Sequence, residues 1–123
     1  MFDLAWLQKH LSSLAPLDPV DVQSTLLELT ALTCTQALRQ NLPNAAQLIV
    51  CGGGAYNQVL MQRLEQLAQC PVQTSAARGL DPNWVEAAAF AWLAERAMDR
   101  RAGNEPSVTG AQGHRVLGAI YPA

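Results

Sequence analysis

Charge is scarce in this chain: 15% of its 123 residues are charged, eight basic and ten acidic, for a formal net charge of -2. So little positive charge excludes a general basic surface for gripping nucleic acid and a polybasic membrane patch. Long apolar runs are missing too. The longest uncharged stretch, Gln40 to Gln62, carries Asn41, Pro43, Asn44, Gln47 and three consecutive glycines, so it cannot be a membrane-spanning helix. The opening Met1-Phe2-Asp3-Leu4-Ala5-Trp6 lacks the basic start and apolar run of a signal peptide. Cysteine is limited to Cys34, Cys51 and Cys70, an odd count without CxxC spacing. That argues against a disulfide framework or a zinc site and for a reducing, cytoplasmic compartment. The two histidines, His10 and His114, are far apart and have no local ligand partners, so no metal site is expected. Half the residues are hydrophobic, which excludes disorder for most of the chain, and the length fits one domain with a modest core.

What is present is an alternation of helix and strand signals. Asp3 to Ser13 reads as a short helix with Leu4, Leu7 and Leu11 along one face, ended by Pro16. Asp18-Pro19 supplies a cap and a first-turn proline for a long helix to about Gln40, which Leu42-Pro43-Asn44 breaks. Gln47 to Cys51 is a short apolar run suited to a buried strand. Gly52-Gly53-Gly54 follows at once, Asn57 is a candidate cap for a helix to about Gln69, and Pro71 to Thr74 reads as a second strand. This order is a βαβ unit, with parallel strands and a right-handed crossover. Asp81-Pro82 repeats the cap-plus-proline signal for a helix to about Arg100, closed by Gly103-Asn104. Its body, Glu86 to Ala94, has few charges and many small side chains, so it is expected to be largely buried. From Pro106 the tail reads as irregular, with Val116 to Tyr121 as a last short strand.

Chemistry points to the glycine run. Glycines between a strand and a helix leave backbone N–H groups uncovered at the positive end of the following helix, which favours phosphate or closely packed nucleotide atoms. A tight turn needing positive φ is the plain alternative, and it requires one or two glycines rather than three. The Walker loop is excluded because no Gly-Lys-Ser/Thr is present. The dinucleotide fingerprint is excluded because Asn57 stands where its third glycine belongs, and no acid occurs between Glu65 and Asp81. The adenosine loop of the actin, Hsp70 and sugar kinase superfamily remains.

Four motifs, in the right order along the chain, carry a more specific resemblance. Ile49-Val50-Cys51-Gly52-Gly53-Gly54-Ala55-Tyr56-Asn57, with Leu60-Met61 and Leu64, is similar to the nucleotide loop of the anhydro-N-acetylmuramic acid kinases. Glu86-Ala87 with Ala89-Phe90-Ala91-Trp92-Leu93-Ala94 resembles a helix of that family. Asn104 to Ala111 and Val116 to Pro122 resemble its C-terminal signature, and Phe2 to Leu7 resembles a mid-chain segment. The resemblance covers essentially the whole chain. It implies an α/β fold, the C-terminal lobe of an actin-like (ribonuclease H-like) ATPase, with the βαβ unit flanked by helices. It further implies that residues 1–123 are a nucleotide-binding lobe portion of a two-lobed sugar kinase, roughly its C-terminal third, with Met1 added or fortuitous. The family uses ATP and Mg²⁺ to open 1,6-anhydro-N-acetylmuramic acid with water and phosphorylate O6, in peptidoglycan recycling. Its catalytic aspartate and phosphate hairpins lie upstream, so this chain is expected to hold no catalytic residue and to be inactive alone.

Carried over by motif, Gly52, Gly53 and Gly54 line the adenosine and phosphate side of the cleft, with Asn57 capping the helix behind them. Glu86 contacts a sugar hydroxyl or serves only the helix dipole. Asn83 replaces the acid usual in the family, which removes any contact that needs a charge there. Ser107 and Thr109 read as loop-fixing, and Arg78 as a solvated loop arginine. The implied partners are ATP, the anhydro sugar and the missing N-terminal lobe. Apolar surface left bare by that lobe would promote self-association or a homo-oligomer. The alternative function is a non-enzymatic actin-like module that binds nucleotide or a protein.

Overall fold

A computed structural model of the chain describes residues 3–121. Phe2 and Pro122, at the outer ends of two of the quoted motifs, lie outside the described residues, as does Met1. The elements run α1 (Leu4–Leu11), α2 (Pro19–Asn41), β1 (Leu48–Val50), α3 (Gln58–Ala68), β2 (Val72–Thr74), α4 (Val85–Met98) and a one-turn α5 (Pro106–Thr109). Short 3₁₀ turns occupy Gly53–Tyr56, Ser75–Arg78 and Pro82–Trp84. β1 and β2 pair in a two-stranded parallel sheet with α3 as the crossover, which is compatible with an α/β fold. Helix starts follow the local code. The Asp3, Asp18 and Asp81 side chains accept from the backbone N–H of Trp6, Val20 and Asn83, each at 2.8 Å. Among the described residues no helix is long and apolar enough to cross a membrane.

The chain resolves into two compact units. One takes the residues up to Leu48 and then Gln58–Val72; the other takes Ile49–Asn57 and the residues from Gln73 on. In the first unit α2 packs on α3, and Ala31, Thr35, Leu64 and Ala68 are buried. Thr35 returns its hydroxyl to the Ala31 carbonyl at 2.8 Å, so this buried polar group is satisfied within its own helix. Removing one buried leucine from a core this small costs roughly 2–5 kcal/mol, so apolar packing dominates the α2–α3 contact.

Beside that core Arg63 forms a two-pronged ion pair with Glu28, Nε to Oε2 and Nη2 to Oε1, both at 2.6 Å. The hydrogen bond from Arg63 holds the Glu28 carboxyl below its ordinary range; desolvation opposes this and the Arg63 charge adds to it. A depressed acid contributes stability above its ordinary pKa and loses it as pH falls through the folded value. Glu28→Gln is therefore expected to melt slightly below the unsubstituted chain at neutral pH. The gap should close as pH drops through the carboxylate range. Thermal unfolding across that range checks it; a gap independent of pH would deny the pair its role.

The structure corrects four sequence expectations. The apolar run Leu48–Val50 does not form a buried strand, since Ile49 is 39% exposed. A parallel strand is buried only with neighbours and layers on both sides, and the described residues supply one neighbouring strand. α4 is not buried either. None of its residues is, and Phe90 and Met98 are 63% and 69% exposed. Its Trp92 ring carries the Arg96 guanidinium 5.0 Å above it.

The third correction is where α4 stops. It ends at Met98, because Arg100 adopts the left-handed conformation (φ 54°) and Arg101 N–H returns to the Arg96 carbonyl at 2.8 Å. Gly103 serves close approach instead: a Cβ there would meet Leu93 Cδ2 at 2.9 Å. The fourth is the tail, where Val116 to Tyr121 form no strand and α5 interrupts the expected irregular run. Asn104 fastens this segment, donating to the Gly113 carbonyl at 3.0 Å and accepting from Arg115 N–H at 2.6 Å.

Candidate functional site

The glycine turn lies wholly in the second unit. Gly52 has φ +74°, a conformation side chains resist, and its N–H donates to the Pro82 carbonyl at 2.9 Å. The glycines do not lead straight into an α-helix. Gly53–Tyr56 form a 3₁₀ turn, with Ala55 N–H returning to the Gly52 carbonyl and Asn57 N–H to the Gly54 carbonyl, each at 3.1 Å. α3 begins only at Gln58, with Asn57 immediately ahead of it in extended conformation. The expectation that the glycine N–H groups lie at the positive end of the helix after the strand is thus corrected. One of those groups is already bonded, and a separate turn intervenes.

The turn requires glycine at position 52. It does not require one at 53, which lies outside the left-handed region, and a Cβ built there meets nothing within 4 Å. Gly53 opens onto a cleft of about 470 Å³. Cys51, Gly52 and Gly53 line one side of it; Pro82, Asn83, Val85, Glu86 and Ala89 line the other. The structure therefore brings Gly52, Gly53 and Glu86 to one cleft, while Gly54 and Asn57 belong to the turn and to the approach to α3. Glu86 is exposed in the first turn of α4. Water and the helix dipole satisfy it there, and its oxygens remain open to a hydroxyl donor from the cleft.

Sequence reasoning missed Tyr56 and gave Asp81 only a capping role. The Tyr56 hydroxyl donates to Asp81 Oδ1 at 3.0 Å and accepts from Asn83 Nδ2 at 3.0 Å. Desolvation, then the hydrogen bond to and charge of Asp81, push the Tyr56 phenol above its ordinary pKa, so it stays protonated and donating at neutral pH. No local signal joins residues 25 apart in sequence.

Arg78 is exposed at the end of its turn. Ser107 donates to Glu105 Oε1 at 2.9 Å, and Thr109 to the Glu105 carbonyl at 3.0 Å, so both hydroxyls fix the α5 turn. Among the described residues no three His, Cys, Asp or Glu side chains come together to hold a metal ion.

Comparison with known proteins places these segments in a lineage. The family model described as anhydro-N-acetylmuramic acid kinase matches residues 1–123. The chain belongs to that family. A Pseudomonas savastanoi pv. phaseolicola protein named anhydro-N-acetylmuramic acid kinase is 53% identical over 124 residues, covering 100% of this chain and 34% of the relative. Proteins of the same name from Xylella fastidiosa and Saccharophagus degradans are 50% and 48% identical, covering 99% and 98% of the chain but 32% and 33% of the relatives. The chain thus spans about a third of the length of these anhydro-N-acetylmuramic acid kinases. Both sides of the cleft fall inside the matched span.

Proposed function

We propose that residues 1–123 are the C-terminal portion of a kinase that opens 1,6-anhydro-N-acetylmuramic acid and phosphorylates its O6, working in peptidoglycan recycling in the cytoplasm. In this reading the chain is part of an actin-like nucleotide-binding lobe. The observation that carries it is the bare Gly53 backbone facing Glu86 across one cleft. ATP runs along Gly52 and Gly53, where the lack of Cβ atoms lets adenosine and α-phosphate approach the main chain. Gly54 and Asn57 hold the turn and its exit into α3. Glu86 accepts a hydrogen bond from a sugar hydroxyl and so orients the acceptor.

In the overall reaction water adds as the anhydro bridge breaks, and the freed O6 takes the γ-phosphoryl group while ADP leaves. The base that deprotonates the water and the donors around the γ-phosphate come from the other lobe. Mg²⁺ would neutralise ATP phosphate charge, but the described residues offer it no ligand set, so no step here runs through it. The exposed face of α4 is where the rest of the enzyme packs, and without that cover the chain self-associates. A non-enzymatic module is the weaker reading, because the relatives matched along the whole chain bear the kinase name.

Titration of the isotope-labelled chain with ATP tests this proposal. The amide resonances of Gly52, Gly53 and Glu86 are expected to move together and saturably. Movement confined to α1, α2 and α3 would place the ligand elsewhere and defeat it.

A further inference from the structure

The two sides of the cleft are joined at two places. One is main-chain, the Gly52 N–H to Pro82 carbonyl bond of 2.9 Å. The other is the Tyr56 side chain, which reaches Asp81 and Asn83 at 3.0 Å each. Asp81 Oδ1 also accepts the Asn83 N–H at 2.8 Å, so the oxygen that receives the phenol caps the turn leading into α4. Donors and acceptors match around this triangle. The phenol has one proton, which goes to Asp81, and its oxygen receives the amide of Asn83.

We propose that Tyr56 is a positioning residue: it holds the glycine side of the cleft at a fixed separation from the first turn of α4, and thereby sets how firmly a nucleotide is gripped. This rests on the nucleotide reading of the cleft. Tyr56 does not line the cleft but bonds to Asn83, which does, so the hydroxyl acts through Asn83 and Asp81. A wall fixed in advance spares the ordering cost that a loose wall imposes on binding. The chemistry at position 83 is specific. A carboxylate there would offer only acceptors to an oxygen whose proton is already committed, and would set a second negative charge beside Asp81. Asn83→Asp should therefore release the latch although the side chain is nearly the same size.

The test compares the unsubstituted chain, Tyr56→Phe, Asn83→Asp and the double variant, reading Gly52 amide exchange without ligand, the ATP dissociation constant and the melting temperature. Tyr56→Phe is expected to speed Gly52 exchange about fivefold and weaken ATP binding about as much, the effect of losing one modest hydrogen bond. Melting should fall by about 3–5 °C, what the same loss gives in a domain of this length. Asn83→Asp should reproduce both changes, and the double variant should add little to either single one. Unchanged Gly52 exchange in Tyr56→Phe overturns the proposal whatever ATP does. Faster exchange spread evenly over the whole chain also overturns it, since that reports general destabilisation. Failure of the unsubstituted chain to bind ATP is a separate result: it removes the nucleotide reading, while Gly52 exchange still decides whether Tyr56 latches the cleft.

Discussion

Valine in place of Gly53 is expected to weaken ATP binding at least about a hundredfold, about 2.8 kcal/mol, and to leave the fold standing. The two halves of this expectation have different physical sources. The fold survives because Gly53 sits outside the left-handed region and a Cβ there meets nothing within 4 Å. A β-branched residue in a short turn then costs about 1 kcal/mol or less. On the proposed reading, binding is lost because the branched side chain projects into the cleft along which adenosine would approach the main chain. Gly52→Val is the instructive contrast. Its φ of +74° makes a side chain strained at roughly 1–2 kcal/mol, so that variant should lose stability as well as affinity. Calorimetric titration with ATP, alongside thermal unfolding, separates the two positions. Unchanged affinity in a folded Gly53→Val would reduce the triple glycine to a turn.

Local chemistry was legible in the sequence and distant chemistry was not. Asp18-Pro19 and Asp81-Pro82 announced helix starts because an accepting cap and the N–H that donates to it lie two residues apart. The order β1, glycine turn, α3, β2 was readable because strand period, glycine and helix period succeed one another without overlap. Burial was misread in two places for one reason. An apolar run such as Leu48–Val50, or the alanine-rich body of α4, records that a residue suits a covered position, not whether the covering surface lies in the same chain. Those segments are half-exposed or exposed here, in a chain spanning about a third of its relatives. The end of α4 was misplaced because Arg100, a residue type rarely found in the left-handed region, terminates the helix where glycine was expected.

Within the cleft the same division holds. The motifs named Gly52, Gly53 and Glu86, and the structure brings these three to one cleft. Tyr56 was invisible because its value lies in bonds to Asp81 and Asn83, and only the folded turn supplies those partners.

The second large effect concerns phosphoryl transfer itself. Transfer of a γ-phosphoryl group depends on positioning and on electrostatic stabilisation from donors around it, with a base to prepare the nucleophile. The cleft here has one carboxylate, Glu86, in an apolar and main-chain surround, and no lysine or arginine lines it. Such a surface cannot neutralise a transferring phosphoryl group. The measurement that decides is formation of phosphorylated sugar from ATP, Mg²⁺ and 1,6-anhydro-N-acetylmuramic acid, by the chain alone and by the chain mixed with the separately produced remainder of the enzyme. No product above background is expected from the chain alone, and product is expected from the mixture. Phosphorylated sugar from the chain alone, or none from a mixture whose two parts associate, would contradict the assignment.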